Sequence, residues 1–238
     1  MSKTKGFLLA VAVAAMAFTF SCSSDDDGGG GSDKGNDIGN YRTVVIGTQT
    51  WMAENLNYAV AGSKCHGEGG EVVIGYDGDD PITTKTLSNA EVQANCDKYG
   101  RLYDWSTAMN FASSCNSNSC SNQIQTKHRG VCPYGWHIPS DAEWGALVTF
   151  AGGSRVLKAA SGWDYNGNGT NDYGFSALPG GYGESKGFFG IGQRGRWWSA
   201  TEYNASSTYF RIMYNTTNTL DNFTSNKSDL NSIRCVQD

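Results

Sequence analysis

Charged side chains are scarce in this chain of 238 residues, of which 17% are Asp, Glu, Lys or Arg. The formal net charge is -5, much of the excess acid lies before residue 40, and Lys and Arg form no cluster. Recognition of nucleic acid depends on a basic patch or stripe. The chain after residue 40 is nearly neutral and lacks such a patch, so we expect no nucleic-acid partner.

The sequence also lacks the local motifs of common enzymes. No Ser stands in a nucleophile-elbow pattern, no glycine-rich phosphate loop follows a strand, and His66, His128 and His137 form no paired metal-binding motif. We therefore predict that the protein is not an enzyme. Catalytic groups can converge from distant segments, which leaves an enzyme as the alternative. His137 is interpreted as a core or helix-capping residue.

Only one apolar run stands out, at residues 7–20, and it is shorter than the roughly 20 residues that span a bilayer. Lys3 and Lys5 precede it, and Cys22 follows it at the start of an acidic, glycine-rich tract. This order is typical of a bacterial lipoprotein, with a signal peptide at 1–21, a lipidated Cys22 and a solvated tether at 22–40. Ordinary signal-peptidase cleavage and an uncleaved anchor are the alternatives. We expect a lipid-anchored protein at the bacterial outer membrane or cell surface, outside the cytoplasm.

Cysteine is well represented, and six of the seven cysteines follow Cys22. An even number in an exported chain favours disulfides over free thiols, although six cysteines allow 15 pairings. The short spacing of Cys115 and Cys120 suits a local loop, and a Cys132–Cys235 bond would tie the middle of the domain to its end. Cys65 and Cys96 form the remaining pair. A structural zinc site is disfavoured because the paired short spacings are absent.

Abundant Gly, Ser, Asn and Thr with short apolar stretches predict strands and loops with few helices, in one domain at 41–238. Helices are expected at about 104–112 and from Ser140, which forms a capping box with Glu143, to the glycines at 152–153. Strands are expected at 41–46, 197–200, 207–214, 219–224 and 232–236. Because the strands gather after the helices, the predicted fold class is α+β.

Six segments in order resemble the Fibrobacter succinogenes major paralogous domain family. They are 45–57 (VIGTQTWMAENLN), 99–105 (YGRLYDW), 132–140 (CPYGWHIPS), 173–181 (YGFSALPGG), 197–202 (WWSATE) and 233–238 (IRCVQD). That family is similar to C-type-lectin-like and formylglycine-generating-enzyme-type domains. The resemblance implies a C-type-lectin-like domain with two helices and a twisted, loop-rich antiparallel sheet. It also implies a binding or adhesion role, and it brings no catalytic residues.

The loop at 164–172 alternates oxygen-bearing residues with glycines. Its candidate calcium ligands are Asp164, Asn166, Asn168, Thr170 and Asp172. The order resembles the first half of a calcium loop, but the Glu expected at the twelfth position is absent. We predict a calcium site here. The alternative is an ordinary surface turn, because Asn and Gly tolerate positive φ.

Aromatic residues are plentiful, with seven Trp and twelve Tyr. We expect most Trp to be core residues. Four aromatic residues flank glycine-rich loops instead, and we predict that they are exposed and bind a ligand. They are Trp163, Tyr165, Tyr173 and Tyr182.

Three functions follow from these features. The leading hypothesis is a surface-anchored, lectin-like binding or adhesion module for an extracellular glycan or protein partner, which uses the loops between residues 162 and 195. The first alternative is an enzyme or accessory subunit on a formylglycine-generating-enzyme-like fold. The second is a structural component of the cell envelope or of a fibre.

Overall fold

The computed structural model describes residues 37–77 and 80–238. The predicted signal peptide, Cys22 and nearly all of the predicted tether lie outside these ranges. Within them, no helix is both long enough and apolar enough to cross a membrane. The described chain combines three α-helices with two sheets. The predicted α+β class is therefore confirmed.

The three α-helices of the described residues are α1 Asn89–Tyr99, α2 Trp105–Met109 and α3 Asp141–Ala151. Helix α3 begins at the predicted capping box, in which the Ser140 side chain accepts a hydrogen bond from the N–H of Glu143. It ends at Gly152, whose φ of 72° is left-handed, as the sequence predicts. Helix α2 starts after the capping side chain of Asp104 and ends at Met109, earlier than the predicted 112.

The expectation of two helices is wrong because of helix α1. Most of its residues are polar, and only Cys96 and Tyr99 are buried. A helix of this kind carries little apolar periodicity, which is the main sequence signal for a helix. Ser88 and Glu91 form a second capping box at its start, and this pair was the available signal.

Thirteen strands lie in the described residues. They are β1 Thr43–Ile46, β2 Gln49–Met52, β3 Glu71–Asp77, β4 Asp80–Thr86, β5 Leu102–Tyr103, β6 Trp136–His137, β7 Gly180–Glu184, β8 Gly187–Ile191, β9 Arg194–Glu202, β10 Ser207–Tyr214, β11 Asp221–Asn226, β12 Asn231–Ser232 and β13 Val236–Gln237. Within this part of the chain, one sheet has the order β1-β2-β13-β6. The larger sheet has the order β11-β10-β9-β7-β8-β3-β4, with β12 paired to β5 and β9.

The larger sheet is mixed, which corrects the expectation of an antiparallel sheet. Most neighbours are antiparallel, but β7 runs parallel to β9, β3 runs parallel to β8, and β12 runs parallel to β9. Two of these pairings, β3 with β8 and β12 with β9, join segments that lie far apart in the sequence. Local strand patterns carry no information on such long-range pairings.

The strand prediction at 207–214 is confirmed by β10, and those at 41–46, 197–200 and 219–224 overlap β1, β9 and β11. The predicted strand at 232–236 is split in two. Between β12 and β13, the carbonyls of Ile233 and Cys235 accept hydrogen bonds from Leu56 and Met52. The hairpin of β7 and β8 was missed because β7 is rich in glycine, which is depleted in strands.

The core is built around tryptophan, as expected. All seven are buried: Trp51, Trp105, Trp136, Trp144, Trp163, Trp197 and Trp198. Trp105 donates its indole N–H to the Ser199 carbonyl at 3.0 Å, and Trp198 donates to the Tyr103 carbonyl at 2.7 Å. Buried indoles need such partners, because an unpaired N–H in the core is costly.

Three disulfides cross-link the domain, and their pairing confirms the prediction. They are Cys65–Cys96, Cys115–Cys120 and Cys132–Cys235. The first joins the segment before β3 to helix α1, and the second closes a loop of 3-10 turns after helix α2. The third connects positions that are 103 residues apart.

The pKa values of two buried histidines are shifted in opposite directions. His137 was predicted to be a core or helix-capping residue, and it is buried, which confirms the core position. Its ring contacts Glu143 and Asp238, each at 2.8 Å. Burial alone would lower the pKa of His137, but the hydrogen bonds and charges of the two carboxylates outweigh burial and raise it. Among the described residues, the only hydrogen-bond partner of the His66 ring is the Phe189 carbonyl, at 3.3 Å. Burial lowers the pKa of His66 to about 4.

Acidification is expected to destabilise the protein through His66. The unfolded chain takes up a proton on His66 near its ordinary pKa of roughly 6.5, whereas the folded protein takes it up only near pH 4. Unfolding therefore binds more protons between these values, and the free energy of unfolding falls by about 3 kcal/mol as the pH drops from 7 to 4. Urea unfolding of wild type and His66→Gln at a series of pH values measures this contribution as their difference.

His137→Gln is the matched control for that experiment. The folded pKa of His137 is raised, so its stabilising contribution is fully present below the unfolded pKa and is lost as the pH rises through the folded pKa. The difference between wild type and this variant should therefore change with pH in the opposite direction. Parallel pH profiles for wild type and His66→Gln would show that the His66 account is incorrect.

Candidate functional site

The candidate site is a polar cleft of about 480 Å³ between the loop at 165–168 and the turn at 215–218. Its lining residues are Arg155, Tyr165, Asn166, Gly167, Asn168, Asn215, Thr216 and Asn218. Four amide side chains, one hydroxyl group, one guanidinium group and one phenol ring therefore surround the cleft. Apart from the phenol ring, these side chains interact mainly through hydrogen bonds.

A tight turn shapes the first wall of the cleft. Tyr165 and Asn166 have left-handed φ values of 51° and 61°, and the N–H of Gly167 donates to the Asp164 carbonyl at 2.9 Å. Asn168 folds its side chain back and accepts the backbone N–H of Trp163 at 2.9 Å. Asn tolerates left-handed backbone and bonds locally in this way. The turn leaves the Tyr165 ring 82% exposed.

Two glycines allow this wall to approach its neighbours closely. A Cβ atom on Gly167 would lie 2.4 Å from the Asn215 carbonyl oxygen, and one on Gly169 would lie 2.2 Å from the Arg155 carbonyl oxygen. No side chain fits in so little space. The alternation of Asn and Gly that suggests a calcium loop is thus also explained by the need for a tight turn against the residues across the cleft.

The side chain of Lys158 contacts residues next to both walls of the cleft. The buried ammonium of Lys158 donates to the carbonyls of Tyr214 and Thr217 at 2.5 and 2.6 Å, which holds the second wall. The same ammonium lies 4.8 Å from the centre of the Trp163 ring. Trp163 precedes the first wall, residues 165–168, in the sequence. Burial lowers the pKa of Lys158. The two walls therefore share one anchor.

The predicted aromatic face is only partly present. Tyr165 is exposed, but Trp163 is buried and donates its indole N–H to the Ala177 carbonyl at 3.0 Å, so the expectation that Trp163 is exposed is wrong. Tyr182 is also buried, which corrects the same expectation; its ring stacks on Phe189 with centroids 5.4 Å apart. Tyr173 is half-buried. Proximity to glycine-rich loops is a poor guide here, because two of the four rings point into the core.

The five predicted calcium ligands, Asp164, Asn166, Asn168, Thr170 and Asp172, are all exposed. One oxygen of Asn168 is already an acceptor for Trp163. The nearby cleft is lined by the guanidinium of Arg155 and by no carboxylate. Across residues 37–77 and 80–238, no three His, Cys, Asp or Glu side chains group in a way that could hold a metal ion. Calcium binding by these five residues, with the Asp164 and Asp172 carboxylates among the ligands, stays a prediction.

The second wall of the cleft was missed at the level of sequence. Asn215, Thr216 and Asn218 lie between the two predicted strands at 207–214 and 219–224, and Arg155 follows helix α3. The polar run between two strands was the available signal for a turn. Its position opposite Tyr165 depends on tertiary packing, which the sequence pattern does not reveal.

The comparisons with known proteins give one match. A model of the Fibrobacter succinogenes major domain matches residues 44–237, which include almost the whole described domain. Neither the curated proteins nor the solved structures provide a significant match. The matched range contains the cleft, all three disulfides and the tryptophan core.

Proposed function

The chain belongs to the Fibrobacter succinogenes major domain family, and we propose that it is a surface-anchored, lectin-like module that binds an extracellular glycan in the cleft beside Tyr165. The observation that carries the proposal is the exposed ring of Tyr165 at a cleft lined by four Asn side chains. Binding sites commonly combine an aromatic contact with a few placed polar groups.

The chemistry of the cleft suits a neutral sugar. Amide side chains both donate and accept hydrogen bonds, as sugar hydroxyl groups also do. The flat face of Tyr165 can stack on the C–H face of a sugar ring at a low cost in conformational entropy. The cleft carries one guanidinium and no carboxylate, so an acidic substituent on the glycan would also be tolerated.

The scaffold suits a binding loop. Both walls are held by hydrogen bonds to buried groups, and rigid support of surface loops is the usual arrangement of binding sites. The α+β architecture, with its two eleven-residue helices, supports the likeness to C-type-lectin-like domains. Lipidation at Cys22 completes the proposal, because it would place this cleft outside the cytoplasm on a membrane surface.

Replacing Tyr165 by Ala is expected to weaken glycan binding by at least about tenfold, because one buried aromatic contact often contributes a large share of the binding energy. The full-length protein is first screened on a glycan array, and dissociation constants are then measured for the best glycan. Thr216→Val, which removes one hydroxyl group from the cleft, should weaken the same binding.

Tyr134→Ala is the matched control, since Tyr134 is 85% exposed and does not line the cleft. This variant should bind with unchanged affinity. Equal losses in the Tyr134 and Tyr165 variants, or none in either, would place the glycan elsewhere. Each measurement is repeated with calcium and with a chelator. We propose that calcium orders the 164–172 loop, so Asp164→Ala with Asp172→Ala should abolish any calcium effect.

A further inference from the structure

A second cavity, of about 260 Å³, shares no lining residue with the glycan cleft. Its buried wall includes Asn55, Asn57, Tyr99 and Arg234, and its exposed rim includes Arg42, Asp97 and Lys98. The cavity thus has a polar interior and a charged entrance. The sequence assigned none of these residues to a binding or catalytic site.

Arg234 is the unusual group in this cavity, because its side chain is almost completely buried, with 1% exposure. Its Nε and Nη2 atoms donate to the Asn55 Oδ1 atom at 3.2 and 2.7 Å, and its Nη1 atom donates to the Phe175 carbonyl. A guanidinium has five N–H groups. One N–H on each terminal nitrogen therefore has no acceptor within the described chain.

Within the described part of the chain, the positive charge of Arg234 also has no acidic partner. Among the described residues, no carboxylate oxygen lies within 4 Å of its guanidinium. Arg211, which is similarly buried, contrasts with it, because Arg211 contacts an Asp141 oxygen at 2.6 Å. An unpaired buried charge is costly, and burial together with the charge of Arg42 lowers the pKa of Arg234 to about 9. An anion in the cavity would relieve this cost.

The net charge of the residues that line the cavity indicates which anion charge it favours. Three basic side chains and two acidic ones line it: Arg42, Lys98 and Arg234 against Glu54 and Asp97. One positive charge is left over, which favours a ligand with one negative charge over a phosphate group, whose charge is about -1.5 to -2. A carboxylate also matches a guanidinium because its two oxygens can accept two parallel N–H groups.

We propose that this cavity binds a small molecule bearing a single carboxylate, which accepts hydrogen bonds from the two free N–H groups of Arg234. The volume sets the size class, because pockets for drug-sized ligands start at about 300 Å³. The occupant is therefore a small organic acid or one acidic sugar residue. The amide of Asn55 fixes the guanidinium for this contact, since it also holds Trp197 at 2.8 Å and the Tyr99 carbonyl at 2.8 Å.

The test follows the side-chain N–H signal of Arg234 by NMR in the full-length protein. Acetate is titrated against acetamide, and glucuronate is titrated against glucose, at constant ionic strength set with sodium chloride. We expect saturable shifts of the Arg234 signal with the two carboxylates and none with their neutral counterparts. No shift with either acid would overturn the proposal, and so would an equal shift when chloride alone is raised.

Three variants extend the test. Arg42→Met removes a rim charge and should weaken carboxylate binding about two- to fivefold, whereas Lys85→Met removes a similar exposed ion pair outside the cavity and should leave it unchanged. Arg234→Met should abolish binding. If Arg234→Met does not fold, the titration of the wild type and of Arg42→Met and Lys85→Met still tests whether the cavity binds a carboxylate. Equal effects of Arg42→Met and Lys85→Met would contradict the proposed site.

Discussion

Replacing Lys227 by Met is expected to lower the free energy of unfolding by about 3–5 kcal/mol, because it removes one partner of a buried ion pair. The ammonium of Lys227 is completely buried and lies 2.9 Å from a carboxylate oxygen of Glu202. It also donates to the carbonyls of Cys115, Asn118 and Ala205. Met keeps the apolar stem but leaves the carboxylate without its cation.

Glu202 makes this loss severe. Its other hydrogen bonds come from the Ser119 hydroxyl and the Cys120 N–H, at 2.5 and 3.0 Å. Burial alone would raise the pKa of Glu202, but these bonds and the Lys227 charge outweigh burial and lower it. The carboxylate therefore stays charged in the folded protein, and it would be left buried and only partly compensated.

Lys85→Met is the matched control for the stability measurement. The Lys85 ammonium lies 2.7 Å from Glu91, but both side chains are about half exposed, so solvent screens this pair and its loss should change stability little. Urea unfolding of the two variants and wild type measures the difference. The double variant Lys227→Met with Glu202→Gln should recover part of the loss. An effect of Lys227→Met no larger than that of Lys85→Met would contradict the account.

Removal of the Cys132–Cys235 bond by a double change to Ala is expected to cost about 4–5 kcal/mol. The bond closes a loop of 103 residues, and the entropy that a cross-link removes from the unfolded chain grows with loop length. The Cys115–Cys120 bond spans only five residues, and its removal should cost about 2 kcal/mol by the same relation.

Urea unfolding of the two oxidised double variants compares these bonds directly. Both variants replace two buried cysteines by alanines, so the loss of side-chain packing is similar. The difference of about 2–3 kcal/mol then reports on loop length. Equal costs, or a larger cost for the short loop, would show that local contacts rather than chain entropy determine what each disulfide contributes.

Local features of the fold were readable from the sequence where several signals agreed. Helix α3 was predicted because the Ser140–Glu143 capping box, the apolar spacing and the glycine at 152 all indicate one helix. Helix α1 has a capping box and a glycine at 100, but most of its residues are polar, so the apolar spacing is missing. The parallel pairings of the larger sheet had no local signal at all.

The candidate sites were less predictable, because their residues meet through packing. The 164–172 loop was found by its composition, but whether Trp163 points inward depends on Lys158 and Ala177, which lie outside that loop. Asn55 and Arg234 are 179 positions apart and share a hydrogen bond. The segments at 45–57, 99–105, 173–181 and 233–238, which carry the family resemblance, meet at the cavity of Arg234.

The central claim is that the cleft beside Tyr165 holds a glycan, and a crystal structure of the protein with its best array ligand tests it most directly. The account predicts a sugar ring stacked on Tyr165, with hydroxyl groups bonded to the amides of Asn166, Asn168, Asn215 or Asn218. A glycan bound at another surface, with the ring of Tyr165 left open to solvent, would contradict it.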